Sequence, residues 1–313
     1  MHKNITHPWM RAMLSGQFEK AWRFSDSVLE AGLYRSPQLP RHQQCIWDGS
    51  SLEGKRVLVR CYHGLGDTIQ FIRYAPMLKA IAKEVAVWAQ APLLKLLESM
   101  EGIDHLFPLH DGTPEAEYDV DIEVMELPHI FRTTVDTIPS KIPYLQAEPL
   151  YLSKNFEQLS VGIIWQAGNW DGNRTMSFQF LKPLFEIEGI DLFILQADAA
   201  SAGWQHGFGI HPGEFDLYDF ARVIRGLDLL ITVDSMPAHM GGAQGVPVWT
   251  LLHAEADWRW MEDRDDSPWY PTMRLFRQDE AGDWEGVIDR VAGELRDVMN
   301  EKDFFESRRK NHI

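Results

Sequence analysis

The sequence predicts an α/β protein of two doubly wound, Rossmann-like domains, because a strand–helix alternation runs twice along the chain and a proline-punctuated stretch separates the two runs. In the first run, apolar strands at 56–61 and 84–88 alternate with helical patterns at 67–82, kinked by Pro76, and at 92–99. Shorter apolar pieces follow near 105–108 and 119–124. The segment IPSKIPYLQAEPLYL at 138–152 reads as a linker. The second run has strands at 161–165, 191–195, 229–233 and 247–252, with helices near 177–187, 218–226, 236–244 and 284–299. The expected division is therefore 51–150 and 151–300, with 1–50 ahead and a tail at 301–313. Parallel sheets bind ligands beyond the carboxyl ends of their strands, so a cleft between the two domains is the expected site.

Ahead of the first domain, PWMRAMLSGQFEKAWRFSDSVLEAG at 8–33 carries two amphipathic patterns broken at Ser15-Gly16, which suits a helical hairpin. It resembles a single tetratricopeptide unit. Stacked repeats need about three copies to bury a core, so one unit must cover its apolar face on the next domain or on another copy of the chain. Self-association through the hairpin is the expectation. Residues 35–54 read as a connector.

Composition narrows the partners. The 313 residues are 45% apolar and 24% charged, with a formal charge of −16. Such a chain is globular and is repelled by nucleic acid and by anionic membranes. Cys45 and Cys61 are the two cysteines, with neither disulfide nor zinc spacing. No run approaches ~20 apolar residues, so no membrane-spanning segment is expected and a cytoplasmic location is the default.

Three segments carry chemistry. The first is GLGDTIQFIRYAP at 64–76, where Gly64 and Gly66 lie between an apolar strand and a helix. Glycines there allow close backbone approach to a ligand, and Asp67 stands at the helix start. It is not a dinucleotide fingerprint: the third glycine position is Ile69, and strand 84–88 runs into Ala89 and Gln90 rather than an acidic residue. The second is WQAGNWDGNRTMS at 165–177, a polar loop in which Arg174 can offset phosphate charge while Asn169 and Thr175 offer hydrogen bonds. The third is LLITVDSMPAHMGGAQGVPVW at 229–249. There Asp234 and Ser235 follow a buried strand, Pro237 suits the first turn of a helix, and free amides make a docking place for a diphosphate. His239 lies one turn in. For each segment a purely structural role (cap, surface loop, buried histidine) stands beside the ligand role.

GLGDTIQFIRYAP, LDLLITVDSMPAHMGGAQGVPVW and DWRWMEDRDDSPWYPTMRLFRQ together resemble the glycosyltransferase domain of bacterial tetratricopeptide-linked proteins. That domain is similar to the lipopolysaccharide heptosyltransferases and, remotely, to O-GlcNAc transferase. The likeness covers roughly residues 50–298. It implies the GT-B fold, a nucleoside-diphosphate sugar as donor substrate, no bound metal or other cofactor, and inverting transfer to a glycan or protein hydroxyl, with domain closure excluding water. It further implies Asp67 as general base, and a donor and phosphate site at Gly64, Gly66, Asn169, Arg174, Thr175, Gln196, Asp234, Ser235, Met236 and His239. Trp258, Trp260 and Trp269 would form a cleft rim, or equally would pin a long loop to the core while its charges face water. DVD at 119–121 reads as structural. The chain departs from the pattern at His63, in ADAASAGW after Gln196, which lacks the usual lysine, and at Ser235-Met236. A non-catalytic sugar-nucleotide-binding module and a nucleotide-sugar epimerase stay open as alternatives.

Overall fold

The computed structural model describes residues 7–33, 35, 40–41, 44–153, 157–168 and 171–300. Asn169 and the tail at 301–313 lie outside them. The chain begins with a helical hairpin, α1 (Pro8–Leu14) and α2 (Phe18–Glu30), turned by Gly16 in the left-handed region. The first lobe follows: β1 (Arg56–Arg60), α3 (Leu65–Phe71), α4 (Ala75–Ile81), β2 (Glu84–Ala89), α5 (Leu94–Leu97), β3 (His105–Pro108), β4 (Val120–Glu123) and α6 (Leu127–Ile130). The second lobe comprises β5 (Leu159–Ile164), β6 (Ile190–Ile194), α7 (Leu217–Arg225), β7 (Leu229–Val233), α8 (Met236–Ala243), β8 (Val248–Leu252), β9 (Met273–Arg277) and α9 (Trp284–Asn300).

Both sheets are parallel, in the orders β3-β2-β1-β4 and β6-β5-β7-β8-β9. Each order reverses once, between β1 and β4 and between β5 and β7, and such reversals open the crevices where ligands bind. β1, β5, β7 and β8 are almost wholly buried apolar runs, as two-sided parallel strands must be. The expected helix at 67–82 is divided by a 3-10 turn at Ile72–Tyr74 just before Pro76, whose ring admits only a helix start there. The helix expected near 177–187 is a 3-10 stretch, Phe178–Leu184, containing Pro183. β9 was not anticipated; it sits at the sheet edge, paired to β8 alone.

One apolar core cluster runs through the hairpin and both lobes. The hairpin covers its apolar face on its own chain: Trp22 Nε1 donates to Thr133 O (2.7 Å), Glu262 N donates to Leu14 O (3.0 Å), and Trp9 meets Trp258 edge-on at 5.6 Å. The expected linker lies along the second lobe, with Tyr144 N bonded to Ala243 O (3.0 Å) and Leu150 N to Arg222 O (2.9 Å). DVD at 119–121 is held in ion pairs, Asp119 with Arg56 and Asp121 with Arg60 and Arg35. Among the described residues, no helix is long and apolar enough to cross a membrane.

Candidate active site

A cavity of about 460 Å³ opens where the second sheet reverses, at the carboxyl ends of β5, β6 and β7. Gln166, Gln196, Asp198, Glu214, Ser235 and Met236 line it, with Phe215 and Phe220 supplying apolar surface. Ser235 holds the N-cap position of α8, yet its hydroxyl donates back to Val233 O (3.1 Å) instead of capping. The first turn of α8, at Ser235, Met236 and Pro237, thus lines the cavity without a side-chain cap. Gln196 braces the loop after β5, its Oε1 accepting from Trp165 N (3.1 Å) and Gln166 N (2.9 Å). Thr175 Oγ1 accepts from Ala167 N (3.3 Å). Sequence reasoning expected both to contact phosphate; these bonds commit them first to shaping the wall.

Asp234 is 4% exposed, and its Oδ2 has no partner among the described residues. Burial, then the charge of Asp257, pushes its carboxyl up to about 6, against the pull of Arg174, of the Trp260 indole N–H nearby and of Arg259. Arg174 Nη1 donates to Asp234 O (3.2 Å), while the buried Nε of the same side chain is also without a partner among the described residues. An unsatisfied acceptor and an unsatisfied donor at one strand end are expensive unless a ligand or water completes them.

The first lobe contributes α3, whose start stands directly against that of α8. A Cβ built on Gly66 would lie 2.8 Å from His239 Cδ2 and 3.4 Å from Met236 Cα. Gly66 is therefore required for helix–helix contact, which corrects the expectation that it opens room for phosphate. His239 is corrected too. It is 5% exposed, stacked on Trp260 at 5.4 Å, and its Nδ1 is 3.0 Å from Tyr270 Oη. Burial, reinforced by Arg259, Arg73 and Arg174, keeps the imidazole well below its usual range, so it is neutral and enclosed. Gly64 N donates to Asp67 Oδ2 (2.9 Å), so that amide serves the helix cap. Asp67 Oδ1 accepts from Arg259 Nη2.

Of the two expectations for the three indoles, a cleft rim or anchors of a long loop in the core, burial fits the second: Trp258 is 5% exposed, Trp260 and Trp269 0%. Trp258 stacks on Phe71 (6.1 Å) and Trp269 on Phe18 (6.3 Å), so the long loop is pinned between α3 and the hairpin. Surfaces this large and apolar are worth more in a core than on a rim.

Arg259, between two of those indoles, was missed. Its Nε donates to Gln70 Oε1 (2.7 Å), Nη1 to Asp257 Oδ1 (2.8 Å) and Nη2 to Asp67. An arginine flanked by tryptophans was the available signal, since a buried guanidinium demands a carboxylate. A second missed group is the His63–Glu123 pair, His63 Nδ1 to Glu123 Oε1 at 2.9 Å, at the reversal of the first sheet. Burial alone would lower His63, but the hydrogen bond and charge of Glu123 prevail and raise it.

No protein-family model matches the chain. Protein FlbA of Caulobacter vibrioides is 25% identical over 320 residues, which covers 90% of this chain. The chain spans about half the length of that relative, 53%. Among solved structures, the glycosyl transferase family 9 protein from Veillonella parvula superposes with a TM-score of 0.57 at 15% identity, covering 80% of this chain and 99% of that one. The E. coli ADP-heptose lipopolysaccharide heptosyltransferase II gives 0.52 at 16%, covering 78% and 98%. Heptosyltransferase TibC, solved with ADP-D-β-D-heptose, gives 0.52 at 13%, covering 81% and 80%. The chain thus has the two-domain, Rossmann-like GT-B fold that these heptosyltransferases share.

Proposed function

We propose that the chain is a glycosyltransferase that moves a sugar, with inversion and without a bound metal, from a nucleoside-diphosphate sugar to a glycan or protein hydroxyl. One observation carries this reading: among the described residues, a carboxylate oxygen of Asp234 and Nε of Arg174 lack partners at the strand end, near a cavity of about 460 Å³ and a helix start. The donor lies in that cavity with its base toward Phe215 and Phe220 and its diphosphate toward Ser235 and Met236. As the acceptor oxygen bonds to the anomeric carbon, the bond to the diphosphate breaks and negative charge grows on the leaving group. The α8 dipole and Arg174 stabilise that charge. Asp67 accepts the acceptor's proton from across the α3–α8 contact. The likeness to an ADP-heptose transferase favours an ADP-sugar among donors.

A second reading, a sugar-nucleotide-binding module without transfer, has its own support. Among the described residues, those lining the cavity include Asp198 and Glu214 but no lysine or arginine, so little opposes the diphosphate's charge there. A panel of ADP-, UDP- and GDP-sugars separates the two readings. Transfer or slow hydrolysis of the donor, with a thermal shift, is expected. A shift without turnover, for every acceptor offered, selects the binding module; conversion of the sugar without an acceptor selects an epimerase; no response at all removes the nucleotide-sugar reading.

A further inference from the structure

We infer that Arg259 is a positioning residue, which reaches from the second lobe to fix the direction of the Asp67 carboxylate in the first; the inference rests on the transferase reading above. Its guanidinium is buried, with a side-chain exposure of 10%, and each of its nitrogens has a set partner. Asp257 also accepts from Arg259 N (3.0 Å), which locks the 3-10 turn Trp258–Trp260 from which the side chain projects. Its charged plane lies 5.0 Å from the Trp258 ring centre and 5.4 Å from that of Phe71. A planar fork so enclosed has one orientation.

Asp67 is thereby gripped at both oxygens, by Arg259 at Oδ1 and by Gly64 N at Oδ2. The lone pairs left over point in a direction set by the second lobe, the lobe that holds the donor cavity. The same guanidinium carries charge toward Asp234 at that cavity's edge. One side chain therefore registers the proton acceptor of one lobe against the donor site of the other. The interface around it is core, with Gly66 seated on His239, so the registration needs no hinge motion.

The test compares Arg259→Lys and Gln70→Met with the wild-type full chain, using ADP-heptose as donor and reading kcat, donor KM and melting temperature. A lysine keeps the charge but not the fork; a methionine keeps the volume at 70 but removes the oxygen that steadies Nε. Misplacing a reacting group by about 1 Å costs on the order of 100-fold in rate. We expect Arg259→Lys to lower kcat by about that factor with KM changed less than about threefold, while most of the melting temperature is retained. Gln70→Met is expected to show a smaller loss of the same kind. Full kcat in both variants, or a loss of kcat that only tracks the loss of melting temperature, overturns the positioning role and leaves the transferase reading standing. A wild-type protein that neither transfers nor hydrolyses ADP-heptose or any sugar of the panel removes both together.

Discussion

The two helix starts that meet between the lobes each adjoin the reversal of a sheet, α3 after β1 and α8 after β7, and they have opposite contents. At α3, the polar groups are bonded to one another. Asp67 is held by Arg259 and Gly64, Thr68 Oγ1 donates to Gln90 Oε1 (2.9 Å), and Gln90 Nε2 donates to His63 O (2.7 Å), leaving Gln70 Nε2 as the exception. At α8, the cap hydroxyl turns away, Asp234 and Arg174 keep atoms without partners among the described residues, and a cavity opens at Ser235 and Met236. One helix start beside a sheet reversal has been filled and the other left open. A preorganised group costs no rearrangement at the moment of reaction, while an open polar pocket is stable only with an occupant. Under the proposed function, the first lobe presents a group and the second receives a ligand.

The sharpest way to break that contrast is Asp67→Asn. Proton acceptance would be lost while the donor pocket, which lies in the other lobe, stays intact. Turnover is expected to fall on the order of 10²- to 10⁴-fold, with the donor-induced thermal shift preserved. Unchanged turnover would reduce Asp67 to a helix cap and remove the presenting role from α3.

Asp234→Asn probes the receiving side through pH. An ordinary aspartate titrates near ~3.9 in an unfolded chain, and Asp234 in the fold titrates at about 6. Burying its ionised form therefore destabilises the fold. The cost is absent below about pH 4, grows through about pH 6 and is complete above it. The asparagine variant should lose this fall in stability and be more stable at pH 8, by up to ~3 kcal/mol. It should also lose the donor-induced thermal shift. Denaturant melts at pH 4 and pH 8 decide the matter: parallel wild-type and variant profiles would mean that the carboxylate is satisfied in the fold and awaits nothing.

How much of this could be read from residues alone follows from the range of the interactions. Strands such as LLITV at 229–233 announce themselves, since a two-sided parallel strand must be apolar throughout. Turn chemistry is equally local, so Gly64, Asp67, Ser235 and Pro237 marked the starts of α3 and α8. The contents of the two starts were not local. Asp67 and Arg259 are 192 positions apart, Gly66 and His239 come from different lobes, and neither pairing leaves a periodic trace in the sequence. The tryptophans at 258, 260 and 269 show the same limit, because an aromatic loop reads alike whether it overhangs a cleft or fills a core. The hairpin's Trp9 and Phe18 supply the facing surface for Trp258 and Trp269, and His239 of α8 supplies it for Trp260.

The smallest expected effect compares two glycines, one on each side of the contrast. Gly66→Ala places a methyl 2.8 Å from a histidine ring that cannot retreat, being stacked on Trp260 and bonded to Tyr270. Overpacking of this kind costs ~1–3 kcal/mol, and it separates α3 from α8. Gly168→Ala, on the wall of the cavity, meets nothing within 4 Å among the described residues. Its stability should stay within ~0.5 kcal/mol of wild type, the usual range for a substitution that touches no packed group. Any penalty at 168 should appear instead in donor affinity, because the added methyl enters the space the ligand occupies. Equal destabilisation at the two positions would mean that the cavity wall is as tightly packed as the lobe interface, and the distinction between a filled and an open helix start would then fail.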